Sequence, residues 1–144
     1  MVYVFGLCLI IGLFILSWID IKTYTLPNLI NYFLLVLGFI QAYFLPLGLV
    51  KSLFGAVIGY VFFVILAWAY KHFRSIDGLG RGDAKLLAVG GAWCGFFTLP
   101  HIMLISSMSA LFFILLMKIN QRTRIPFGPF LSIGILVTWL FIQI

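Results

Sequence analysis

Carboxylates are the scarcest charged groups in this chain of 144 residues, which holds three aspartates, Asp20, Asp77 and Asp83, and no glutamate. Two carboxylates that lie close together cannot both ionise easily, so such a pair shares a proton and titrates as a unit. One member can take a proton from water while the other protonates a carbonyl oxygen, which hydrolyses a peptide bond without a metal or a covalent intermediate. The inventory therefore favours acid-pair chemistry, provided that the fold brings two of the aspartates together.

Other hydrolytic chemistries lack their residues. The chain has no HExxH motif, no serine in a GxS context and no CxxC motif, and its two cysteines, Cys8 and Cys94, lie inside apolar segments. These patterns support neither a zinc site nor a serine hydrolase, so no metal and no cofactor is expected. Two simpler roles stay open, because Asp83 can cap the start of a helix and Asp20 can pair with Lys22 at a membrane surface.

The composition indicates an integral membrane protein. Hydrophobic residues make up 65% of the chain and charged residues only 8%, with a mean hydropathy of +1.25. Soluble domains carry about 25% charged residues, so this chain cannot cover a soluble surface. The net charge of +6 does not indicate nucleic-acid binding, because the nine Lys and Arg residues form short clusters between apolar segments.

The apolar segments predict an all-α polytopic membrane protein, a compact bundle of six transmembrane helices that forms one membrane-embedded domain. The stretch 86–117 has no Lys, Arg, Asp or Glu and is too long for one crossing of about 20 residues. If it divides at 98–101, where Pro100 favours a turn, every basic residue except Lys51 falls on one side. The positive-inside rule then puts both termini outside and the basic loops in the cytoplasm. The predicted spans are about 2–19, 29–45, 52–70, 84–98, 101–117 and 127–144.

All three aspartates fall on the cytoplasmic side of this topology. Asp20 ends the first span and Asp83 begins the fourth. A charged side chain at membrane depth costs roughly 2.5–3.5 kcal/mol even on the insertion scale, so its presence needs a reason, whether structural or functional. Two glycine pairs, Gly55-x-x-x-Gly59 and Gly91-x-x-x-Gly95, predict close helix packing within the bundle.

Three segments resemble the type IV prepilin peptidase family, whose members are membrane aspartyl proteases of the GxGD type. "GRGDAKLL" at 80–87 fits the GxGD signature and its continuation in that family. "DIKTYTLPN" at 20–28 resembles the first aspartate motif, in which an Asp closes a helix ahead of a Pro-Asn. "RIPFGPFLSIG" at 124–134 resembles the segment near the C-terminal span. The three segments occur in the family's order and agree with six spans.

The resemblance implies a membrane aspartic endopeptidase that removes the basic leader from type IV prepilin or pseudopilin-like precursors, at the cytoplasmic face of the cell membrane. The family's catalytic aspartates map onto Asp20 and Asp83, whereas Asp77 matches no catalytic position. The expected partners are membrane proteins with a basic leader and an apolar helix, together with the lipid bilayer, and no nucleic acid. The residues expected to bind substrate or shape the cleft are Gly80, Gly82, Lys85, Pro27, Asn28, Pro126, Gly128 and Pro129.

One departure from the family concerns the N-terminus. Many bacterial members carry an extension with cysteine pairs and a methyltransferase activity, whereas here Asp20 comes early in the chain and no CxxC motif occurs. The short, peptidase-only form is therefore expected, with no methyl donor. Archaeal preflagellin peptidases share the acid pair, so the substrate's assembly system stays open. The alternatives are a proton-coupled transporter or channel subunit that uses the same aspartates, and a non-catalytic assembly factor.

Overall fold

The computed structural model describes residues 1–74, 81–120 and 125–144. Within these ranges the chain forms six α-helices and one short 3₁₀ turn, with no strand, which confirms the prediction of an all-α membrane protein. The helices are α1 Val2–Thr23, α2 Asn28–Phe44, α3 Leu49–Arg74, α4 Arg81–Cys94, α5 Leu99–Met117 and α6 Gly128–Gln143.

The long uncharged stretch divides into α4 and α5, but the break lies a few residues before the expected turn. α4 ends at Cys94, Gly95 follows with a φ of 86°, and a 3₁₀ turn at Phe96–Thr98 leads into α5. Glycine is the residue that tolerates a positive φ, so Gly95 ends the helix. Pro100 lies in the first turn of α5, where its missing N–H costs nothing because that turn has no intrahelical acceptor.

The helices differ in their capacity to cross a bilayer. α1, α3 and the segment Phe96–Met117 that contains α5 are long and apolar enough to span one, and α2 and α6 are apolar but shorter. α4 has 14 residues, a rise of roughly 21 Å against a hydrocarbon core of about 30 Å. Large apolar side chains cover the outside of the bundle, as on α5, where Leu104, Phe112 and Leu115 are 65–68% exposed.

α4 is the inner helix of the bundle and contacts α2, α3, α5 and α6. Its residues from Leu86 to Cys94 are all buried. Gly91 of α4 lies directly against Gly55 of α3, and a Cβ built on either glycine would overlap the backbone of the other. Small residues of this kind let two helix backbones approach closely. The predicted packing through the glycine pairs is thus present inside one bundle, at Gly55 and Gly91.

Successive helices run in opposite directions, and side-chain contacts fix which ends meet. α1 and α6 are antiparallel, because Gly6 lies against Trp139 and Asp20 lies against Gly128. Both termini therefore lie at one end of the bundle. The other end, which we call the site end, holds the end of α1 and the starts of α2, α4 and α6. The assignment of the site end to the cytoplasm, with the termini outside, stays a prediction.

Candidate active site

Asp20 lies in the last turn of α1 and is buried, with 5% of its surface exposed. Its Oδ2 accepts a hydrogen bond of 2.9 Å from the backbone N–H of Gly128, the first residue of α6. The first N–H groups of a helix have no intrahelical acceptor, and they form the positive end of the helix dipole. Asp20 thus supplies from α1 a carboxyl cap for α6, where the preceding Phe127 makes no side-chain cap.

Glycine suits position 128 because a side chain there would collide with Asp20, and not because the backbone angles demand a glycine. A Cβ built on Gly128 would lie 2.5 Å from Oδ2 of Asp20, well inside the ordinary van der Waals distance between a carbon and an oxygen atom. With any larger residue at this position, the Asp20 carboxylate would have to move from the place it occupies. The glycine N–H therefore holds one carboxylate oxygen of Asp20 in place, although the two residues are 108 positions apart in the chain.

Asp83 lies in the first turn of α4 and is half-buried. Together with Asp20 it lines a cavity of about 320 Å³ at the site end. The remaining lining residues are Tyr24, Thr25, Leu26, Arg81 and Gly82. The fold thus brings two of the three aspartates to the same cavity, although they are far apart in sequence.

The connection between α1 and α2 closes one side of this cavity. Tyr24 ends α1 in the left-handed conformation (φ 55°), and its N–H donates to the backbone oxygen of Asp20 at 2.8 Å. Leu26 then packs against the start of α4, where a Cβ on Gly82 would lie 2.8 Å from the Leu26 Cβ. Gly82 thereby lets α4 begin beside this connection. Sequence reasoning did not select Thr25 and Leu26, and only their position between Asp20 and Pro27 could have indicated them.

The side chains of Lys85 and Asn28 bond to each other, and neither residue lines the cavity. The Lys85 ammonium donates to Oδ1 of Asn28 at 2.6 Å and lies 5.3 Å from the centre of the Tyr32 ring. Lys85 borders a separate groove between α2, α3 and α4. It is therefore a link between the start of α2 and the start of α4, one helical turn or less from Asp83.

The prolines expected to shape the cleft surround the site without lining the cavity. Pro27 is the N-cap residue of α2, with φ −66° and ψ 129°. Pro126 precedes α6 and is half-buried. Pro129 follows Gly128 in the first turn of α6 and lines a smaller groove against α1. Their rigid backbones set where α2 and α6 begin.

Two residues of the sequence analysis, Gly80 and Asp77, lie outside the described residues. Within residues 1–74, 81–120 and 125–144, no group of three or more His, Cys, Asp or Glu side chains could hold a metal ion.

An apolar helical bundle with two carboxylates at a cavity on one end defines a polytopic membrane protein with an acidic site. The chain belongs to the type IV leader peptidase family, whose family model matches residues 7–115. The matched region contains both Asp20 and Asp83, whereas Gly128 lies beyond it.

Three similar proteins share the name prepilin leader peptidase/N-methyltransferase. The protein of that name from Escherichia coli (strain K12) is 39% identical over 126 residues, which is 85% of this chain and 56% of the relative. The one from Burkholderia pseudomallei (strain 1026b) is 37% identical over 142 residues, 95% of this chain and 45% of the relative. The one from Pseudomonas aeruginosa is 39% identical over 128 residues, 85% of this chain and 44% of the relative.

The chain therefore spans about half the length of these relatives. No solved structure matches it.

Proposed function

We propose that this protein removes the leader from type IV prepilins or related precursors, as an aspartic endopeptidase whose catalytic pair is Asp20 and Asp83. The observation that carries the proposal is the cavity that both aspartates line. Membership of the type IV leader peptidase family supports peptide hydrolysis, and the names of the relatives support prepilins as substrates. The methyl transfer in those names is not proposed here, because the chain spans about half of each relative.

The proposed mechanism uses one water molecule between the two carboxyl groups, which share one proton. One carboxylate takes a proton from the water as the oxygen attacks the scissile carbonyl carbon, and the other carboxyl group protonates the carbonyl oxygen. The intermediate carries two hydroxyl groups, and as its C–N bond breaks one carboxylate takes a proton from one of them while the other carboxyl group protonates the leaving nitrogen. The products are a new carboxyl terminus and a new amino terminus, and the pair returns to its starting charge.

Gly128 has a positioning role in this mechanism. Its N–H fixes Oδ2 of Asp20 and so sets the orientation of the whole carboxylate. A fixed carboxylate needs no reorganisation as charge moves during the reaction, which lowers the barrier. Gly128 itself touches no reacting atom, so its contribution passes through Asp20.

The deciding experiment is co-expression of the protein with a prepilin, scored by removal of the leader. Asp20→Asn and Asp83→Asn keep the size and the acceptor oxygen of each side chain but remove the acid. We expect each variant to lose at least about 10³-fold in cleavage rate, at the upper end of general acid–base effects. Asp77→Asn is the matched control and is expected to cleave at the wild-type rate. Wild-type processing by either of the first two variants would contradict the assignment.

The pH dependence gives a second test of the pair. Two coupled carboxyl groups must hold one proton between them for catalysis, so both their full protonation and their full ionisation stop the reaction. The cleavage rate is therefore expected to be bell-shaped against pH. A single sigmoidal dependence across the acid range would indicate one functional carboxylate and would refute the shared proton.

The proposed location is the cytoplasmic membrane, with the site at the cytoplasmic face. Lys22 and Lys118 lie near the site end and Lys51 near the opposite end. Cysteines introduced at these positions in a variant lacking Cys8 and Cys94 report the side of the membrane. We expect an impermeant thiol reagent to label Lys51→Cys in intact cells, and Lys22→Cys and Lys118→Cys only after lysis. The opposite pattern would place the site outside.

The transporter or channel alternative is not retained. The family and the names of the relatives describe peptidases, and nothing in them points to ion flux. The variant experiment above also tests the assembly-factor alternative, which predicts that both aspartate variants keep their function.

A further inference from the structure

A groove of about 350 Å³ opens on the side of the bundle between α2, α3 and α4. Its walls are apolar and include Leu35, Phe39 and Val57. Asn31 and Lys85 line it as well, together with Tyr32 and Tyr60, whose rings carry hydroxyl groups. The groove shares no lining residue with the cavity of the aspartates, but Lys85 lies two positions after Asp83 on α4, so the groove begins at nearly the same height along the bundle, on another face of α4, and extends away from the site end.

Asn31 is the feature of the groove that packing does not explain. Its side chain is 99% buried, since 1% of its surface is exposed. Neither Oδ1 nor Nδ2 has a hydrogen-bond partner among the described residues. An unpaired buried amide is a rare and costly feature of a folded protein and calls for an explanation. The neighbouring Asn28, one turn earlier on α2, has its oxygen satisfied by Lys85.

We propose that this groove binds the substrate segment that follows the scissile bond, with the Asn31 amide paired to one of its peptide groups. The inference rests on the proposed function, because the occupant is the substrate of that reaction. A peptide bond must leave the helical conformation to be hydrolysed, which frees backbone N–H and C=O groups next to the apolar part of the substrate. At membrane depth these groups find no water and must be satisfied by protein.

The chemistry of the groove favours a peptide over a lipid. The Asn31 side chain offers one acceptor and one donor from the same planar amide, the complement of a peptide group's N–H and C=O. An acyl chain could fill the apolar walls but would leave both Asn31 atoms unpaired. The amide is closed off from the surface, so the substrate has to displace a neighbouring side chain to reach it. Lys85, a long and flexible side chain that borders the groove, can move aside if its bond to Asn28 breaks.

The proposal predicts opposite effects on stability and on substrate binding when Asn31 is replaced. Asn31→Leu removes an unpaired buried amide at similar volume, so the melting temperature is expected to rise. The same change removes the partner of the substrate's peptide group, so KM for a prepilin in liposomes of fixed composition is expected to rise about tenfold, with kcat within twofold. A destabilised fold alone could not give higher stability and weaker binding together.

Gln41→Leu is the matched control. Gln41 lies on the same helix, is 1% exposed, and has an unpaired Oε1 among the described residues. It lies ten residues further along α2, about 15 Å away, and does not line the groove. We expect Gln41→Leu to raise the melting temperature without changing KM. An unchanged KM for Asn31→Leu, or an equal rise for both variants, would overturn the proposal.

Cross-linking gives a measurement that does not depend on turnover. A photoreactive residue replaces Val57, which lines the groove and is 60% exposed, in the inactive Asp83→Asn variant. We expect it to capture the prepilin at residues that follow the scissile bond. The control position is Leu115 on the exposed face of α5, where capture of prepilin should be at background. Capture of lipid alone at Val57, or equal capture of prepilin at Leu115, would refute peptide binding in the groove.

The two proposals fail in different ways. If the wild-type protein removes no leader from any prepilin, the proposed function fails. If the wild type cleaves but Asn31→Leu keeps its KM and Val57 captures no prepilin, the proposed function stands and the groove assignment fails.

Discussion

Two glycine contacts in this protein have the same geometry and different consequences. At the centre of the bundle, Gly91 of α4 meets Gly55 of α3, and backbone lies against backbone. At the site end, Gly128 of α6 meets Asp20 of α1, and backbone lies against a carboxylate. In both places a Cβ would overlap the partner, so both glycines are there because two groups must come close.

The difference lies in what can move. At Gly91 the obstructing atoms belong to the backbone of α3, which cannot shift without moving α3 and α4 apart. At Gly128 the obstructing atom is the end of the Asp20 side chain, which can rotate away. The central contact should therefore determine whether the bundle forms, and the contact at the site end should determine how well it works.

Gly91→Ala tests the central contact and is expected to have the largest effect. One methyl group forces α3 and α4 apart, and overpacking of a rigid core costs about 3 kcal/mol of unfolding free energy. The measurement is reversible unfolding in mixed micelles. Ser107→Thr adds one methyl group on the exposed face of α5 and is expected to stay within about 0.5 kcal/mol. Equal stability of the two variants would show that the glycine contact does not hold the bundle.

Gly128→Ala tests the contact at the site end. The added methyl group displaces the Asp20 carboxylate and weakens its hydrogen bond, and a misplaced catalytic group can cost about 10²-fold in rate. We expect kcat to fall by that factor while KM stays within twofold, and the unfolding free energy to fall by about 1 kcal/mol. Ser132→Ala, in the next turn of α6, should leave kcat unchanged. If Gly128→Ala raised KM and left kcat alone, Gly128 would bind substrate rather than position Asp20.

Ser52→Ala tests a single hydrogen bond beside the central glycine contact and is expected to have the smallest effect of the three. The Ser52 hydroxyl of α3 donates to the backbone oxygen of Ala92 on α4 at 2.6 Å, beside the glycine contact. Hydrogen bonds between helices in membranes contribute about 0.6 kcal/mol on average, so a loss of that size is expected. Ser109 donates to Ile105 within α5, and Ser109→Ala should have no measurable effect. If the two variants had equal stability, close backbone packing alone would hold α3 against α4.

The helix inventory could be predicted from the sequence, but the roles of the helices could not. The uncharged stretch that forms α4 and α5 gives no sign from hydropathy that its first half is buried by protein and its second half faces outward. α4 contains Gly90, Gly91 and Ala92, and α5 contains bulky residues such as Phe112 and Leu115. Residue size, which controls how closely helices approach, separates the two helices where polarity does not.

The two aspartates of the candidate site could be selected from the sequence, but the residues that surround and position them could not. Asp20 and Asp83 are recognisable because carboxylates are rare in this chain and each lies in a distinctive segment. The bond from Gly128 to Asp20 required the tertiary structure, since it joins positions 108 residues apart. The buried amide of Asn31, which has no partner among the described residues, also required it, because the sequence of a helix start suggests that an asparagine there is a cap or a surface residue.

The sequence alone determined that the protein lies in a lipid bilayer, because a chain so poor in charge cannot cover a surface in water. It also determined which chemical groups are available, since its only acidic side chains are three aspartates. Only the tertiary structure decided which atoms meet, because contacts between helices depend on side-chain volume and rotation about each helix axis. Those two quantities bring the Asp20 carboxylate to the Gly128 amide and both aspartates to one cavity.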